Sequence, residues 1–220
     1  MSAAVLACST PQVPAEGSDA ADRRAAESVL LSLDDLPWGF RVSREVESGE
    51  SRAGDEEHPW TPELVACLGI EPTRVGRTGP WAQTRFASKN NNPEVLISSE
   101  VDVMASAEEA AADLETPRHP RFRSCMSEVS RSGPEDLDGD SVEAEVSLLG
   151  YRTVGDDSVA LRTTSTIVID GRTTVAVVDS IMARIGRTMV TVQVGATDEP
   201  ASGIDVAQLA DRMVARASAH

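Results

Sequence analysis

The sequence predicts an α+β fold, a single domain in which helices pack on a twisted antiparallel sheet. Three observations carry this. Asp170-Gly171 separates two long β-branched runs, Val159–Ile169 and Thr173–Ile185. An Asp-Gly pair with such flanks is a strong hairpin signal, because a type I′ turn needs φ > 0 at both central residues. A third run, Thr188–Val194, follows across Gly186-Arg187. The helical patterns stand apart from the long strands instead of alternating with them, which is the α+β pattern and not βαβ.

The elements follow in order. Residues 9–22 are small and polar and read as a flexible tether. Asp22–Leu33 carries Ala26, Val29, Leu30 and Leu33 at helical spacing, with Asp19 or Asp22 as cap. Pro37 stops that helix, and Leu36–Phe40 makes an apolar corner in which Trp38 is a corner or core residue, as is Trp81 later. Phe40-Arg41-Val42 starts an edge strand, and 49–59 is a charged loop. Thr61-Pro62-Glu63 opens a short helix with an N-cap, a proline at the first position and an acid in the first turn, and Gly69 closes it. Trp81–Ala87 and Glu94–Met104 are strands; in the second, Val95, Ile97, Ser99, Val101 and Val103 point to the core.

Ser106 and Glu109 form a capping box for the helix Ala107–Leu114. Pro120–Ser130 forms another helical segment, and 132–140 is an acidic loop. The strand Val142–Tyr151, the connection Gly155-Asp156-Asp157 and the hairpin complete the sheet. The closing helix Asp205–Ala217 has one apolar stripe of Val206, Leu209, Ala210, Met213 and Ala217.

Composition restricts function. The chain has 220 residues with 40% hydrophobic content, enough for a real core, but only 3% aromatic content, so that core is aliphatic. The net charge of −16 argues against nucleic acid, because phosphate binding requires a basic surface. It also argues against electrostatic docking on anionic lipid. No run of ~20 apolar residues is present to span a membrane.

Cysteine usage bears on compartment. Val5-Leu6-Ala7-Cys8 resembles a bacterial lipobox, in which the cysteine is lipidated and becomes the mature N-terminus. Met1–Ala7 has no basic residue and is shorter than a signal h-region of ~7–15 residues, so residues 1–8 read as a truncated signal, with a start further upstream. With Cys8 lipidated, Cys67 and Cys125 are left to pair in an oxidising compartment. The alternative is a cytosolic protein with three unrelated thiols.

Catalytic and metal signatures are absent from the pattern. His58, His119 and His220 have no zinc-binding spacing, and there is no Gly-x-Ser-x-Gly elbow or Gly-rich phosphate loop. Asp136, Asp138 and Asp140 resemble part of a calcium loop, but Gly139 falls too early, so an exposed acidic loop is expected. Asp156, Asp157 and Arg162, near strand ends, and Asp179, which breaks the alternation of Val175, Val177 and Ile181, are the candidates for lining a ligand cleft. For each, an exposed charge without a binding role is the alternative.

Four stretches together resemble a known family: Leu31–Phe40, Ser99–Ala107, Gly155–Arg162 and Arg184–Val192. They are similar to the actinobacterial extracellular sensor-like domains of the PknH-kinase type and to related small mycobacterial lipoproteins, over roughly Leu31 to Ala215. The resemblance implies an antiparallel sheet with packed helices over 23–220, export, and a ligand cleft. PknH-type domains carry two disulfides, whereas three cysteines allow one here. The expectation is a lipid-anchored, non-enzymatic sensor-like or ligand-binding domain of the cell envelope. Its partner would be a small or cell-envelope ligand or an envelope protein, with no cofactor and with membrane contact through the lipid anchor alone. The alternatives are an envelope hydrolase built around His58 or His119 and an interaction domain without a pocket.

Overall fold

The computed structural model describes residues 16–50, 61–70, 79–89, 94–131, 141–169 and 171–220. Cys8, His58, the acidic loop 132–140 and Asp170 lie outside the described residues. Seven strands form one open sheet: β1 (Phe40–Glu50), β2 (Pro80–Ser88), β3 (Val95–Val103), β4 (Ser141–Leu148), β5 (Asp157–Ile169), β6 (Arg172–Ile185) and β7 (Thr188–Thr197). Their order across the sheet is β1-β2-β3-β7-β6-β5-β4, and every neighbouring pair is antiparallel. After β3 the chain crosses to the far edge, and β4 to β7 return to the middle, through a longer segment between β4 and β5 and then two tight turns. The last strand thus pairs with β3 and joins the two halves of the sheet.

Five helices cover it: α1 (Glu16–Val29), α2 (Pro62–Leu68), α3 (Ala107–Glu115), α4 (Phe122–Arg131) and α5 (Val206–Ala217). Because side chains alternate along a strand, the sheet has two apolar faces. On one, Ile97, Val101, Val190, Val192 and Ile181 meet Val29 of α1, Leu30 just after it, and Leu209 and Met213 of α5. On the other, Val159, Leu161, Met182 and Met189 meet Leu64 of α2, Leu114 of α3 and Phe122 of α4. Each such aliphatic side chain, once fully buried, contributes about 1.5–3 kcal/mol. Ile97, Ser99, Val101 and Val103 are buried in register, as the alternation predicts, although Asp102 on the opposite face is buried too.

The local signals act where expected. Thr61 Oγ1 accepts from Leu64 N at 3.3 Å, and Gly69 ends α2 at φ +70°. Ser106 Oγ accepts from Glu109 N at 3.1 Å; Glu109 reaches back one residue further than the box predicts, accepting from Ala105 N at 3.2 Å. Asp205 Oδ1 accepts from Ala207 N and Gln208 N and starts α5.

Three expectations are corrected. First, α1 begins at Glu16, inside the stretch read as a tether, so Asp19 and Asp22 lie within the helix and do not cap it. Arg187, on the β6–β7 turn, donates to Asp22 Oδ1 at 2.6 Å and holds that first half of the helix to the sheet. Second, α1 stops at Val29 rather than Leu33. Asp35 Oδ2 accepts from Ser32 N at 2.8 Å and Ser32 Oγ at 3.0 Å, starting a separate 3-10 turn, Leu33–Asp35. Third, Trp38 sits at the corner but is 93% exposed, with no core to enter.

Candidate functional site

The four candidate ligand residues separate into two places. Arg162 and Asp179 stand opposite each other on β5 and β6. Arg162 Nε donates to Asp179 Oδ1 at 2.6 Å and an Arg162 terminal nitrogen to Oδ2 at 2.8 Å, a bidentate fork. This accounts for the carboxylate that interrupts the apolar alternation of β6: a cation placed on the same face neutralises it. The pairing holds the Arg162 guanidinium more firmly protonated than usual, with burial opposing.

Asp157 points to the other side of β5. It receives both terminal nitrogens of Arg118, at 2.7 and 2.8 Å. That guanidinium also donates to Glu115 and to the Ser158 carbonyl. The Arg118 hydrogen bond is the main cause that holds the Asp157 carboxyl below the usual carboxylate range, and Ser158 N adds to it. Arg118 is in turn held protonated, first by Asp157. Asp156 is a turn residue: its Oδ2 accepts from Gly186 N at 2.8 Å, and its own N donates to the Arg184 carbonyl. Asp156 and Asp157 therefore tie β5 to the helical side and to the β6–β7 turn, and do not join Arg162 and Asp179 in one cleft.

Beside the Arg162–Asp179 pair lies a depression of about 170 Å³. Leu148, Leu149, Tyr151, Ser158, Ala160 and Ile181 contribute to its wall. The segment between β4 and β5 forms its rim and is fastened by backbone bonds, with Leu149 N donating to Ala160 O and Asp156 N to Arg184 O. Arg152, on the same rim, pairs with Asp211 of α5. Tyr151 is 44% exposed. Burial raises the pKa of its phenol, and the Asp179 and Asp205 carboxylates raise it further against the pull of Arg162. The lining is thus mostly aliphatic, with one phenol, the Ser158 hydroxyl and Arg152, whose charge is paired with Asp211; Arg162 and Asp179 lie outside it. Tyr151, Arg152 and Arg118 were not singled out from the sequence. Tyr151 is the one tyrosine of the chain, but its placement depends on how the β4–β5 connection folds back.

Cys67 and Cys125 are bonded, with Cα atoms 5.6 Å apart, joining α2 to α4 across 58 residues of chain. Among the described residues no cluster of metal-ligating side chains occurs, and no helix is long and apolar enough to cross a membrane. His119 Nδ1 accepts from Arg121 N at 3.2 Å. His220 Nε2 lies 2.9 Å from Ser28 Oγ, which is also within hydrogen-bond distance of the Ala25 carbonyl at 2.7 Å; which group of the His220–Ser28 contact donates depends on the ring tautomer.

No protein-family model matches the sequence, and no curated protein matches it. Among solved structures the chain is similar to the extracellular domain of PknH from Mycobacterium tuberculosis. The alignment covers 90% of this chain and 97% of that one, at 10% identity and a TM-score of 0.55. At that identity the likeness is one of fold, and the sheet and helices expected from the sequence motifs are the ones observed. LpqN, involved in cell envelope biogenesis of Mycobacterium tuberculosis, aligns over 70% of this chain and 79% of its own at 11% identity. Its TM-score of 0.27 is too low for its arrangement to inform this one.

Proposed function

We propose that this chain is an extracytoplasmic, lipid-anchored domain of an actinobacterial cell envelope that binds a small ligand and has no catalytic activity. The observation that carries the reading is the bonded Cys67–Cys125 pair. Such bonds persist in oxidising compartments and are rare in reducing cytosol. Pairing these two cysteines leaves Cys8, in its lipobox-like context, as the remaining thiol for a lipid anchor. The PknH-type fold agrees with a sensor role.

For the ligand, the depression sets the Tyr151 side chain beside aliphatic residues, and the one charged lining residue, Arg152, is already paired with Asp211. These features suit a small, uncharged molecule with an apolar body and one or two hydrogen-bonding groups. Peptide mapping without reductant, on protein from host membranes, tests location. The expected result is a Cys67–Cys125 linked peptide and lipid on Cys8. Two free thiols at 67 and 125 with Met1 intact would overturn it. A thermal-shift panel of neutral amphiphiles on the full chain tests binding. A true hit raises the melting temperature and changes the titration of Tyr151, and loses affinity in Leu149→Arg, which fills the depression.

A further inference from the structure

The groups around the depression divide into those already engaged and those with capacity to spare. The carboxylates that act on Tyr151 are Asp179 and Asp205. Asp179 accepts the fork from Arg162, and Asp205 accepts from two amides at the start of α5. Asp211 accepts from Arg152. The backbone of the rim is engaged too: the Ala160 carbonyl accepts from Leu149 N, and the Leu149 carbonyl from Tyr151 N. The hydroxyls are different. Ser158 Oγ accepts from Val154 N at 3.0 Å, which uses a lone pair and leaves its proton to donate. The Tyr151 phenol is acted on by burial and by nearby charges, which on balance keep its proton in place, and it hydrogen-bonds to no described residue. Arg152, the third polar side chain of the wall, has N–H groups and no acceptor. Among the described residues, the lining side chains therefore offer donors, and none is an acceptor alone.

We infer that the ligand of this depression is a neutral carbonyl compound, an ester or ketone on a short aliphatic body, whose oxygen accepts from Tyr151 and Ser158. The inference rests on the ligand-binding reading above and names the chemistry of that same site. A carbonyl oxygen has two lone pairs and no proton to satisfy, so it matches a wall of donors. The aliphatic body lies against Leu149, Ala160 and Ile181. An ammonium is a poor match. Its protons would meet hydroxyls and a guanidinium whose own protons are unspent, and a desolvated donor left unpaired costs more than a made hydrogen bond contributes. A carboxylate would add a negative charge to the surroundings of Asp179, Asp205 and Asp211, where like charges disfavour one another.

The test uses the full chain and two probes of one carbon skeleton: methyl pentyl ketone, and the amine that carries an ammonium where the ketone has its oxygen. Affinities are read by ligand-observed NMR titration. The ketone should bind at least about tenfold more tightly, even against the long-range attraction of a chain of net charge −16 for the amine. Tyr151→Phe, checked for folding by circular dichroism, should weaken the ketone by about threefold or more and leave the amine unchanged. Infrared difference spectra of an isotope-labelled ketone give a readout on the unmodified protein. A carbonyl that accepts hydrogen bonds absorbs at lower frequency, so the bound band should lie below that of the ketone in alkane, and Tyr151→Phe should move it back toward that value. An amine that binds as tightly as the ketone, a bound band at the alkane frequency, or a ketone affinity unchanged by Tyr151→Phe would each overturn the inference while leaving the depression a binding site. Ketone binding unaltered by Leu149→Arg would place the probe elsewhere and overturn it as well. If neither probe binds, the ligand-binding reading fails with it.

Discussion

Arg162 and Asp179 neutralise each other on a sheet face where either charge alone would be poorly solvated, with side-chain exposures of 34% and 17%. Removing one partner leaves the other uncompensated, so Arg162→Ala should destabilise by about 1–3 kcal/mol. Replacing both with valine should cost less than about 1 kcal/mol, because a well-packed apolar pair substitutes for an ion pair at little loss. Chemical denaturation of the three variants checks the contrast. Tyr151 gives an optical readout. Its phenol should titrate above the ordinary value of about 10, and Asp179→Asn should bring it partway back, as followed by tyrosinate absorbance. At Asp35, burial raises the carboxyl pKa, but hydrogen bonds from Arg216 and Ser32 outweigh it and leave the group below the usual range. A depressed carboxyl stabilises the fold above its unfolded value of about 3.9 and loses that contribution as pH falls through the folded value. Asp35→Ala should therefore cost about 2 kcal/mol at neutral pH, and the gap from the parent should narrow below about pH 4.

At the scale of elements, two joints decide how the pieces meet. Gly155 has φ +68°, and a Cβ there would lie 2.5 Å from the Arg184 carbonyl oxygen. Gly155→Ala should cost about 2 kcal/mol or more, since left-handed strain alone is about 1–2 kcal/mol. A melting point lowered by about 4 °C or more would register it. The second joint is the α2–α4 bond. Closing 58 residues is worth about 4 kcal/mol on the chain-entropy model, so Cys67→Ser/Cys125→Ser should melt on the order of 10 °C lower. Much at this scale was legible. The caps at Thr61 and Ser106 and the Asp-Gly hairpin are local chemistry, readable wherever they occur. Even the Arg162–Asp179 pairing was available, because equal steps back from Asp170 and forward from Gly171 land on those two residues. The start of α1 was not legible: Glu16–Asp22 is polar and small, and the Arg187–Asp22 bond that holds it comes from the far side of the fold.

For the whole molecule, the helices are divided between the two faces, and the disulfide belongs to one of them. Hydrogen exchange should be slowest in β3, β7 and β6, which have a strand on each side, and faster in the edge strands β1 and β4. Reduction should quicken exchange in α2 and α4, whereas α1 and α5, packed on the opposite face, should keep their rates. Loss of protection in all four helices would show that the two faces open as one unit.

The sequence by itself determined the α+β class, most of the periodic elements and the caps at Thr61 and Ser106, because each depends on residues close along the chain. Tertiary structure alone decided the order β1-β2-β3-β7-β6-β5-β4, the face each helix covers, and the division of the four candidate residues between two sites. Period-two alternation states which residues share a face but not which helix will cover it. Asp156 and Asp157 read as cleft residues until Gly186 and Arg118, distant in sequence, proved to be their partners.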